Sequence, residues 1–426
     1  MYKKTVLKNN LTLVTHNMSG AYSVCIGVWL KVGSRYEQDR FAGISHFLEH
    51  MIFKGSKKYD NESIKRQIEG SGGILNGFTS EELTCYLAKV PKKRAYPTFK
   101  ILLDMAFNPL LKPQDTQKER TVIIEEIKMY NDLPRHIAQD LLEKIMHPNH
   151  PLGRNIAGTV ETVSSVSKDD LANFQKKYYE PENMIVVFAG NISHKVCLEF
   201  VKKAFGNSKA QDTNFSFEKF NSQQNKTEIE TLNKDIEQTR LSIGFPAYSK
   251  THPKRFILNL ISVLLGENMS SRLFDEIREK RGLAYEISSY YKPLVDTGDF
   301  CIRAGLDNKK VDLAIELILK ELFKIKNELV PESELKRAKE YALGHLAMQL
   351  EDTLEHMVFL GYSAAAHDKI MDYEQIKKEV LKIKPKDLKE VAKDIFRREK
   401  LSIALVGPVK DFDKDKCLNY ASSILE

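Results

Sequence analysis

Short apolar runs alternate along this chain with longer stretches in which apolar residues recur every three or four positions. The short runs predict β-strands at 23–27, 185–190, 241–245 and 403–407. The longer stretches at 97–110 and 311–325 have the one-sided apolar spacing that is typical of amphipathic helices. Because strands and helices are mixed along the whole chain, the pattern predicts the α+β fold class.

The two halves of the chain repeat one order of elements. Gly27 and Gly190, within the early and late apolar runs of the first half, recur as Gly244 and Gly407, 217 residues later in both cases. Each late run follows a predicted helix that begins with a Lys-Asp-Leu pattern. We interpret this repeat as an internal duplication, which predicts two similar domains.

A polar stretch separates the two halves. Residues 208–231 are rich in Ser, Asn, Gln, Asp and Lys, which is typical of a linker or a surface loop. We therefore predict a first domain over 1–210, which carries the chemistry described below, a linker over 211–231 and a second domain over 232–426.

Composition restricts the class of protein. The net charge of +7 is a small excess, and the basic residues alternate with acids as on solvated helix faces, so no nucleic-acid partner is expected. No apolar run reaches the roughly 18 residues of a membrane-spanning helix, and the first residues lack the apolar core of a signal peptide. The five scattered cysteines indicate buried thiols in a reducing compartment, so any metal must use histidine and carboxylate ligands. We predict a cytoplasmic protein with no membrane partner.

The candidate chemistry begins with His46-Phe47-Leu48-Glu49-His50. Residues four apart share one face of a helix, so His46 and His50 present two imidazoles to one point. Catalytic zinc sites use three protein ligands and a water molecule. Glu49 lies on nearly the same face, where its carboxylate can take a proton from the water without binding the metal.

A second predicted helix supplies the third ligand. Glu119 and Glu126 are seven residues apart and share a face, whereas Glu125 is rotated by about 100° and is predicted to be solvated. We predict Glu126 as the third ligand and Glu119 as a carboxylate that orients a histidine or tunes the site. The alternative for Glu119 is a surface acid that pairs with Arg120 or Lys118.

Two alternatives concern the other histidines and the motif itself. His147 and His150 are three residues apart, but the prolines around them predict a turn-rich loop rather than a helical pair. If His46 and His50 were simply two surface residues of a helix, the motif would have no metal-binding or catalytic role. Phe47, Leu48 and Met51 predict a buried helix instead, and buried histidines need partners for their ring nitrogens.

H-x-x-E-H is the inverted zinc motif of the inverzincins. With the helix of Glu126 located 76 residues after His50, the chain resembles the M16 metallopeptidases, and in particular the branch of the mitochondrial processing peptidase beta subunit and its bacterial relatives. The resemblance extends through most of the chain, and its motifs lie at 43–55, 73–79, 119–126, 150–154, 270–274 and 278–285.

The resemblance implies two similar α/β sandwich-like domains, of which only the first binds metal. The second half has Val263, Gly266 and Glu267 in place of the motif residues, at the offset of 217. In the family a full chamber needs four such domains, so the resemblance also implies a dimer of this two-domain chain. A homodimer is predicted, and a heterodimer with a silent homologue is the alternative.

The resemblance also implies two sets of substrate-binding residues. Asn76 and Gly77 match an edge strand that pairs with extended substrate, although the family usually has Ala where this chain has Gly77. Arg278 and Tyr285 match an Arg and a Tyr that clamp the substrate from the second-half domain and stabilise the developing oxyanion. The alternatives for this pair are a surface salt bridge and a core aromatic residue.

These observations together predict a zinc-dependent endopeptidase that hydrolyses peptides or unfolded protein segments, with one Zn²⁺ per chain and Glu49 as general base. Manganese or cobalt would fit the same ligands. The alternatives are a non-catalytic scaffold or silent subunit, and another metal hydrolase such as an amidase. The presence of His46, Glu49, His50 and Glu126 together favours the peptidase.

Overall fold

The structure, a computed structural model, describes residues 2–206 and 215–425. Within these residues the chain forms eleven strands and fifteen α-helices, which confirms the α+β fold class. The strands are β1 (Lys3–Val6), β2 (Thr12–Asn17), β3 (Ser23–Leu30), β4 (Ile74–Thr79), β5 (Thr84–Pro91), β6 (Met184–Gly190), β7 (Glu228–Asn233), β8 (Gln238–Ala247), β9 (Ala284–Pro293), β10 (Gly298–Asp307) and β11 (Ser402–Gly407). The helices are α1 (Ile44–Ile52), α2 (Asn61–Ile68), α3 (Ala95–Phe107), α4 (Pro113–Asp132), α5 (Pro134–Met146), α6 (Val160–Ser165), α7 (Lys168–Tyr178), α8 (His194–Phe205), α9 (Arg255–Gly266), α10 (Val311–Asn327), α11 (Glu332–Gln349), α12 (Thr353–Ala366), α13 (Tyr373–Lys382), α14 (Pro385–Ile395) and α15 (Lys414–Leu425).

The apolar pattern located several of these elements. The four runs predicted as strands lie within β3, β6, β8 and β11, and the helix predicted over 311–325 is α10. The helix predicted over 97–110 is α3, which ends at Phe107. The predicted end was wrong because Asn108 precedes Pro109, and a residue before proline is disfavoured in the helical conformation.

The first compact unit contains a six-stranded sheet. Its residues come from Met1–Lys128, Arg154–Glu218 and Ala347–Asp372. The strand order is β1-β2-β6-β3-β5-β4, in which β2 and β6 are parallel and the other neighbours are antiparallel. On β3, Ile26 and its alternate neighbours pack into a core with α1 and α3, whereas Trp29 packs on the other face with α12. Burial on both faces explains why β3 is a continuous apolar run.

The second compact unit contains a five-stranded sheet in the order β7-β11-β8-β10-β9. Its residues come from Met129–Gly153, Lys219–Leu346 and Tyr373–Glu426. Helices α9, α10 and α14 cover one face of the sheet, with α15 packed against α10, and α5 covers the other face. The two units therefore share one layered architecture, a sheet with helices on both faces, as the resemblance implied.

The two halves of the chain exchange one helix. Helix α5 comes from the first half and packs on the sheet of the second unit, whereas α12 comes from the second half and packs on the sheet of the first unit. The repeated glycines make room for both helices. A Cβ atom on Gly27 would lie 2.3 Å from Met357 Sδ, and a Cβ atom on Gly244 would lie 2.3 Å from Met146 Sδ. The duplication thus includes the contact between the sheet and the exchanged helix.

The predicted domain bounds divide the chain sequentially, whereas the compact units are built from interleaved segments. Residues 211–214 of the predicted linker lie outside the described residues. Residues 215–227 form no helix or strand, and β7 begins at Glu228, inside the span predicted as linker. The bounds 1–210 and 232–426 stay a prediction about the duplicated sequence rather than about the compact units.

Two further expectations concern thiols and membrane segments. Cys25, Cys85, Cys197, Cys301 and Cys417 are all buried free thiols, which confirms the predicted state of the cysteines. Across the two described stretches of the chain, no helix combines the length and apolar character that crossing a membrane requires.

Candidate metal centre

A buried carboxylate holds the start of the helix that carries the motif. Helix α1 begins after Gly43, which has a φ of 95° and so adopts the left-handed conformation that favours glycine. The backbone N–H groups of Gly43 and Ser45 each donate to the carboxylate of Glu37 at 2.8 Å. Burial raises the pKa of Glu37 to about 7, although these hydrogen bonds and Arg154 oppose the shift. Glu37 thereby fixes the direction in which α1 enters the core.

A close approach of two backbone turns fixes the same end of α1. A Cβ atom on Gly43 would lie 2.4 Å from the oxygen of Ala157, and a Cβ atom on Gly158 would lie 2.2 Å from the oxygen of Ala42. Arg154, the last residue of the motif at 150–154, donates to the backbone oxygen of Glu37 at 2.9 Å. These contacts give a structural reason for the small residues that precede the motif.

The structure brings His46, His50 and Glu126 together. Glu126 Oε2 lies 3.9 Å from His46 Nε2 and 3.5 Å from His50 Nε2. One ligand atom from each residue lies within 4.8 Å of the others, and among the described residues this is the group of three that could hold a metal ion. Zinc bound at about 2.0–2.2 Å in tetrahedral geometry holds its ligand atoms roughly 3.3 Å apart. The three side chains therefore fit a zinc ion.

Glu119 lies behind His50, where it was predicted to orient a histidine. Its Oε2 atom lies 3.2 Å from His50 Nδ1, and its Oε1 atom lies 2.6 Å from the Lys54 ammonium group. A proton on Nδ1 that is donated to Glu119 leaves the Nε2 lone pair available to a metal ion. The alternative of a surface acid was wrong, because Glu119 is buried and Arg120 instead donates to the backbone oxygens of Val163 and Val166.

The electrostatics of the three candidate ligands suit a divalent cation. Burial, with the neighbouring His50, lowers the pKa of His46 to about 4, so this imidazole is neutral and has a lone pair to donate. Burial also acts to lower the pKa of His50, but its hydrogen bonds with Glu126 and Glu119 outweigh burial and raise it. Carboxylates outnumber the positive charges around the two imidazoles, and a bound dication would offset that excess.

Glu49 is buried beside the candidate ligands and accepts one hydrogen bond. The Thr79 hydroxyl donates to Glu49 Oε2 at 2.7 Å. Burial raises the pKa of Glu49, while the Thr79 hydrogen bond and the charge of His50 lower it. Glu49 is thus separate from the three ligands, as its predicted role as general base requires.

Sequence reasoning missed Thr79 and Lys54. A signal existed for Lys54, which follows His50 by four residues in the turn just after α1 and so stays near the side of the helix that carries His50. Thr79 shares a strand face with Gly77, but nothing in the sequence pairs that face with Glu49.

Strand β4, which carries Asn76 and Gly77, is an edge strand of the described sheet, with β5 as its neighbour. The Asn76 side chain is exposed and accepts from the N–H of Gly77 at 2.8 Å. A Cβ atom on Gly77 would lie 2.9 Å from Phe53 Cζ, so the Phe53 ring fills the space that an alanine methyl group would need. This contact gives a physical reason for glycine at a position where the family usually has alanine.

Arg278 and Tyr285 belong to the second compact unit, whereas the motif belongs to the first. Arg278 lies in a π-helical turn at Phe274–Glu279, and Tyr285 lies on β9. Tyr285 is 74% exposed, so the alternative of a core aromatic residue was wrong. The Arg278 guanidinium lies 5.6 Å from the Tyr285 ring centroid and 3.9 Å from a Glu279 carboxylate oxygen. The two side chains form one exposed pair.

His147 and His150, the alternative candidates for metal ligands, have structural contacts within the second unit. His147 follows the last residue of α5, and its Nε2 atom lies 3.0 Å from a carboxylate oxygen of Asp299, with both side chains buried. His150 Nδ1 accepts from the backbone N–H of Leu152. The loop predicted around these histidines is present, and it places neither of them in the group that could hold metal.

Comparisons with known proteins agree over most of the chain. Residues 12–160 match the family described as Insulinase (Peptidase family M16), and residues 165–341 match the Peptidase M16 inactive domain. The chain is 35% identical over 408 residues to the uncharacterized zinc protease YmxG of Bacillus subtilis (strain 168), covering 96% of this chain and 98% of that protein. It is 33% identical over 404 residues to an uncharacterized zinc protease of Rickettsia bellii, covering 94% and 96% of the two chains.

Two solved structures have the same fold. A protease from Helicobacter pylori superposes with a TM-score of 0.90 at 24% identity, covering 95% of this chain and 99% of that chain. A structure from Pseudomonas fluorescens, titled as a peptidase M16 inactive domain, gives a TM-score of 0.87 at 18% identity, covering 96% and 98%. At these identities the likeness concerns the fold alone.

Proposed function

The chain belongs to peptidase family M16, and from that premise we propose that it is a zinc-dependent endopeptidase that hydrolyses peptides or unfolded protein segments. The observation that carries the proposal is the convergence of His46, His50 and Glu126 beside the separate carboxylate of Glu49. Relatives over 94% or more of this chain are named zinc proteases, which supports zinc as the metal.

Each of these side chains would have a separate role in the reaction. A zinc ion held by His46, His50 and Glu126 would supply Lewis acidity, which lowers the pKa of water and polarises a peptide carbonyl. Glu49 Oε1 accepts the proton of the attacking water, because Oε2 is occupied by the Thr79 hydroxyl, and Glu49 then returns the proton to the leaving amine. Glu119 holds His50 in the orientation and tautomer that keep Nε2 free.

The edge strand β4 would bind the substrate backbone. An extended peptide can add to the open side of β4, where Asn76 is exposed, and main-chain hydrogen bonds then supply affinity without requiring a particular side chain. This mode favours extended or unfolded segments, because a folded protein has no free strand to offer. Arg278 and Tyr285 would hold a substrate carbonyl and donate to the oxyanion.

The assembly and location are further parts of the proposal. A homodimer would supply the four domains that the family's chamber needs, and light scattering on the purified protein would distinguish one chain from two. A silent homologue as partner is the alternative outcome, and co-purification from the native cell would reveal it. The nearer resemblance to the mitochondrial processing peptidase beta subunit and the cytoplasmic location rest on the sequence alone.

The test compares the wild type with Glu49→Gln. Bound metal is measured by elemental analysis, and cleavage of an unstructured peptide is measured with and without a chelator. We expect Glu49→Gln to keep its metal and lose cleavage, because the ligands are intact and the base is absent. Glu125→Gln is the matched control, since Glu125 is exposed and pairs with Lys128.

Two results would contradict the proposal. Unchanged cleavage in Glu49→Gln would remove the general-base mechanism. A wild type that binds no metal and cleaves nothing would favour the silent-subunit alternative over the peptidase.

A further inference from the structure

We propose that Thr79 is a positioning residue for Glu49: its hydroxyl holds one oxygen of the carboxylate so that the other oxygen faces the attacking water. This inference rests on the proposed function, in which Glu49 is the general base. It assigns a role in the reaction to the last residue of strand β4, thirty residues from Glu49 in the sequence.

The geometry gives the hydroxyl a specific task. Thr79 Oγ1 lies 2.7 Å from Glu49 Oε2, and within the described residues it is the hydrogen-bond donor to this carboxylate. A buried carboxylate that rotates freely about its last torsion has no fixed proton-accepting direction. One donor on Oε2 restricts that rotation, and none of the residues that the structure describes donates to Oε1.

The backbone holds Thr79 firmly on both sides. Thr79 pairs with Thr84 across the β4–β5 hairpin, and the N–H of Ser80 donates to the oxygen of Leu83 at 2.8 Å. The oxygen of Ser80 also accepts from the N–H of Ser34. Threonine is branched at Cβ, which restricts its first side-chain torsion, so a fixed backbone gives a fixed hydroxyl.

The direction of the side chain separates this role from substrate binding. Gly77 and Thr79 lie on the face of β4 that meets α1, since the space above Gly77 is filled by Phe53 and the Thr79 hydroxyl reaches Glu49. The hydrogen bonds that a paired substrate strand needs come from the open edge of β4 instead. Loss of the Thr79 hydroxyl should therefore slow the chemical step and leave substrate affinity in place.

The test uses two substitutions that separate the hydroxyl group from the branched shape of the side chain. Thr79→Val removes the hydroxyl and keeps the branched shape, whereas Thr79→Ser keeps the hydroxyl. For Thr79→Val we expect kcat to fall by about 10-fold to 100-fold, the range known for partners that orient metal ligands, with KM unchanged. Thr79→Ser should restore most of kcat. Metal affinity, measured by competition with a chelator, should be the same in all three proteins.

A control reports on the substitution itself. Thr98→Val makes the same substitution at a buried threonine whose hydroxyl has no hydrogen-bond partner in the described structure. We expect Thr98→Val to leave kcat, KM and metal affinity unchanged, so a change in Thr79→Val alone reports the bond to Glu49.

The outcomes separate this inference from the proposed function. If Thr79→Val keeps the wild-type kcat while Glu49→Gln loses it, the inference is wrong and the proposed function stands. If Thr79→Ser is as slow as Thr79→Val, or if Thr79→Val loses metal or its thermal unfolding transition, the role of Thr79 is structural and the inference is again wrong. A wild type that cleaves no peptide overturns the proposed function and this inference with it.

Discussion

The ammonium group of Lys54 lies 2.6 Å from Glu119, whose other carboxylate oxygen lies 3.2 Å from His50 Nδ1. A line of three side chains therefore runs from the turn after α1 to a candidate metal ligand. Because Glu119 is buried, removal of the positive charge leaves its carboxylate without an ionic partner, which is costly. Lys54 thus stabilises the residue that orients His50.

This relationship predicts that Lys54→Met weakens metal binding by about 10-fold, at the lower end of the range for partners of a metal-binding histidine. The affinity is measured by titrating the metal-free protein with Zn²⁺ against a competing chelator. Lys54→Arg should bind nearly as tightly, because it keeps the charge. Lys57→Met, which changes an exposed lysine three residues away, is the control. An equal loss of metal affinity in Lys57→Met would mean that the effect comes from the surface potential and not from the contact with Glu119.

The sequence located the candidate ligands because helical periodicity is a local property. The spacing of His46 and His50, and of Glu119 and Glu126, determines which side chains face one way before any tertiary structure is known. The contact of Thr79 with Glu49 depends instead on how β4 packs against α1, which no local pattern encodes.

The exchange of α5 and α12 was also beyond the sequence. An apolar helix face shows that a helix packs on something, but not which of two similar sheets it covers. Gly27 and Gly244 were visible as a repeat in the sequence. That they leave space for Met357 and Met146 can be seen only in the folded sheets.

The packing of α12 on the first sheet gives a second prediction. A Cβ atom on Gly361 would lie 2.1 Å from the Trp29 ring, which is fully buried and cannot move aside. Gly361→Ala should therefore lower the free energy of unfolding by about 1–3 kcal/mol. Gly344 in α11 has open space around its Cβ position, so Gly344→Ala should raise stability by up to about 1 kcal/mol. Urea denaturation of both variants measures the difference, and equal effects would contradict the close packing.

Two stacked histidines give a prediction about pH. The rings of His16 and His356 lie 4.2 Å apart, and the pKa of His16 is lowered to about 4 by burial and by the neighbouring His356. The folded state therefore favours the neutral ring, so its stability is complete above the unfolded pKa of about 6.5 and falls as the pH drops towards 4. The free energy of unfolding should fall by roughly 1 kcal/mol over this pH range, a small value because His16 is only half-buried.

The measurement is the free energy of unfolding at pH 7.5 and pH 5 for the wild type and His16→Phe. Phenylalanine keeps the stacked ring and has no charge to gain, so the variant should lose less stability at pH 5. His136→Phe, at an exposed histidine, should behave like the wild type. An identical pH dependence in His16→Phe would assign the effect to other groups.

The Phe53 ring beside Gly77 gives the last prediction. A methyl group at residue 77 would lie 2.9 Å from Phe53 Cζ, which is the far end of a side chain that can rotate. Gly77→Ala should therefore cost only about 1 kcal/mol of stability, but it should displace the Phe53 ring and with it the β4 edge. If β4 binds the substrate backbone, KM for an extended peptide should rise. Gly77→Ala combined with Phe53→Leu makes room for the methyl group and should restore KM. A rise in KM that the second substitution leaves unchanged would mean that glycine is needed for its backbone freedom rather than for the space that Phe53 occupies.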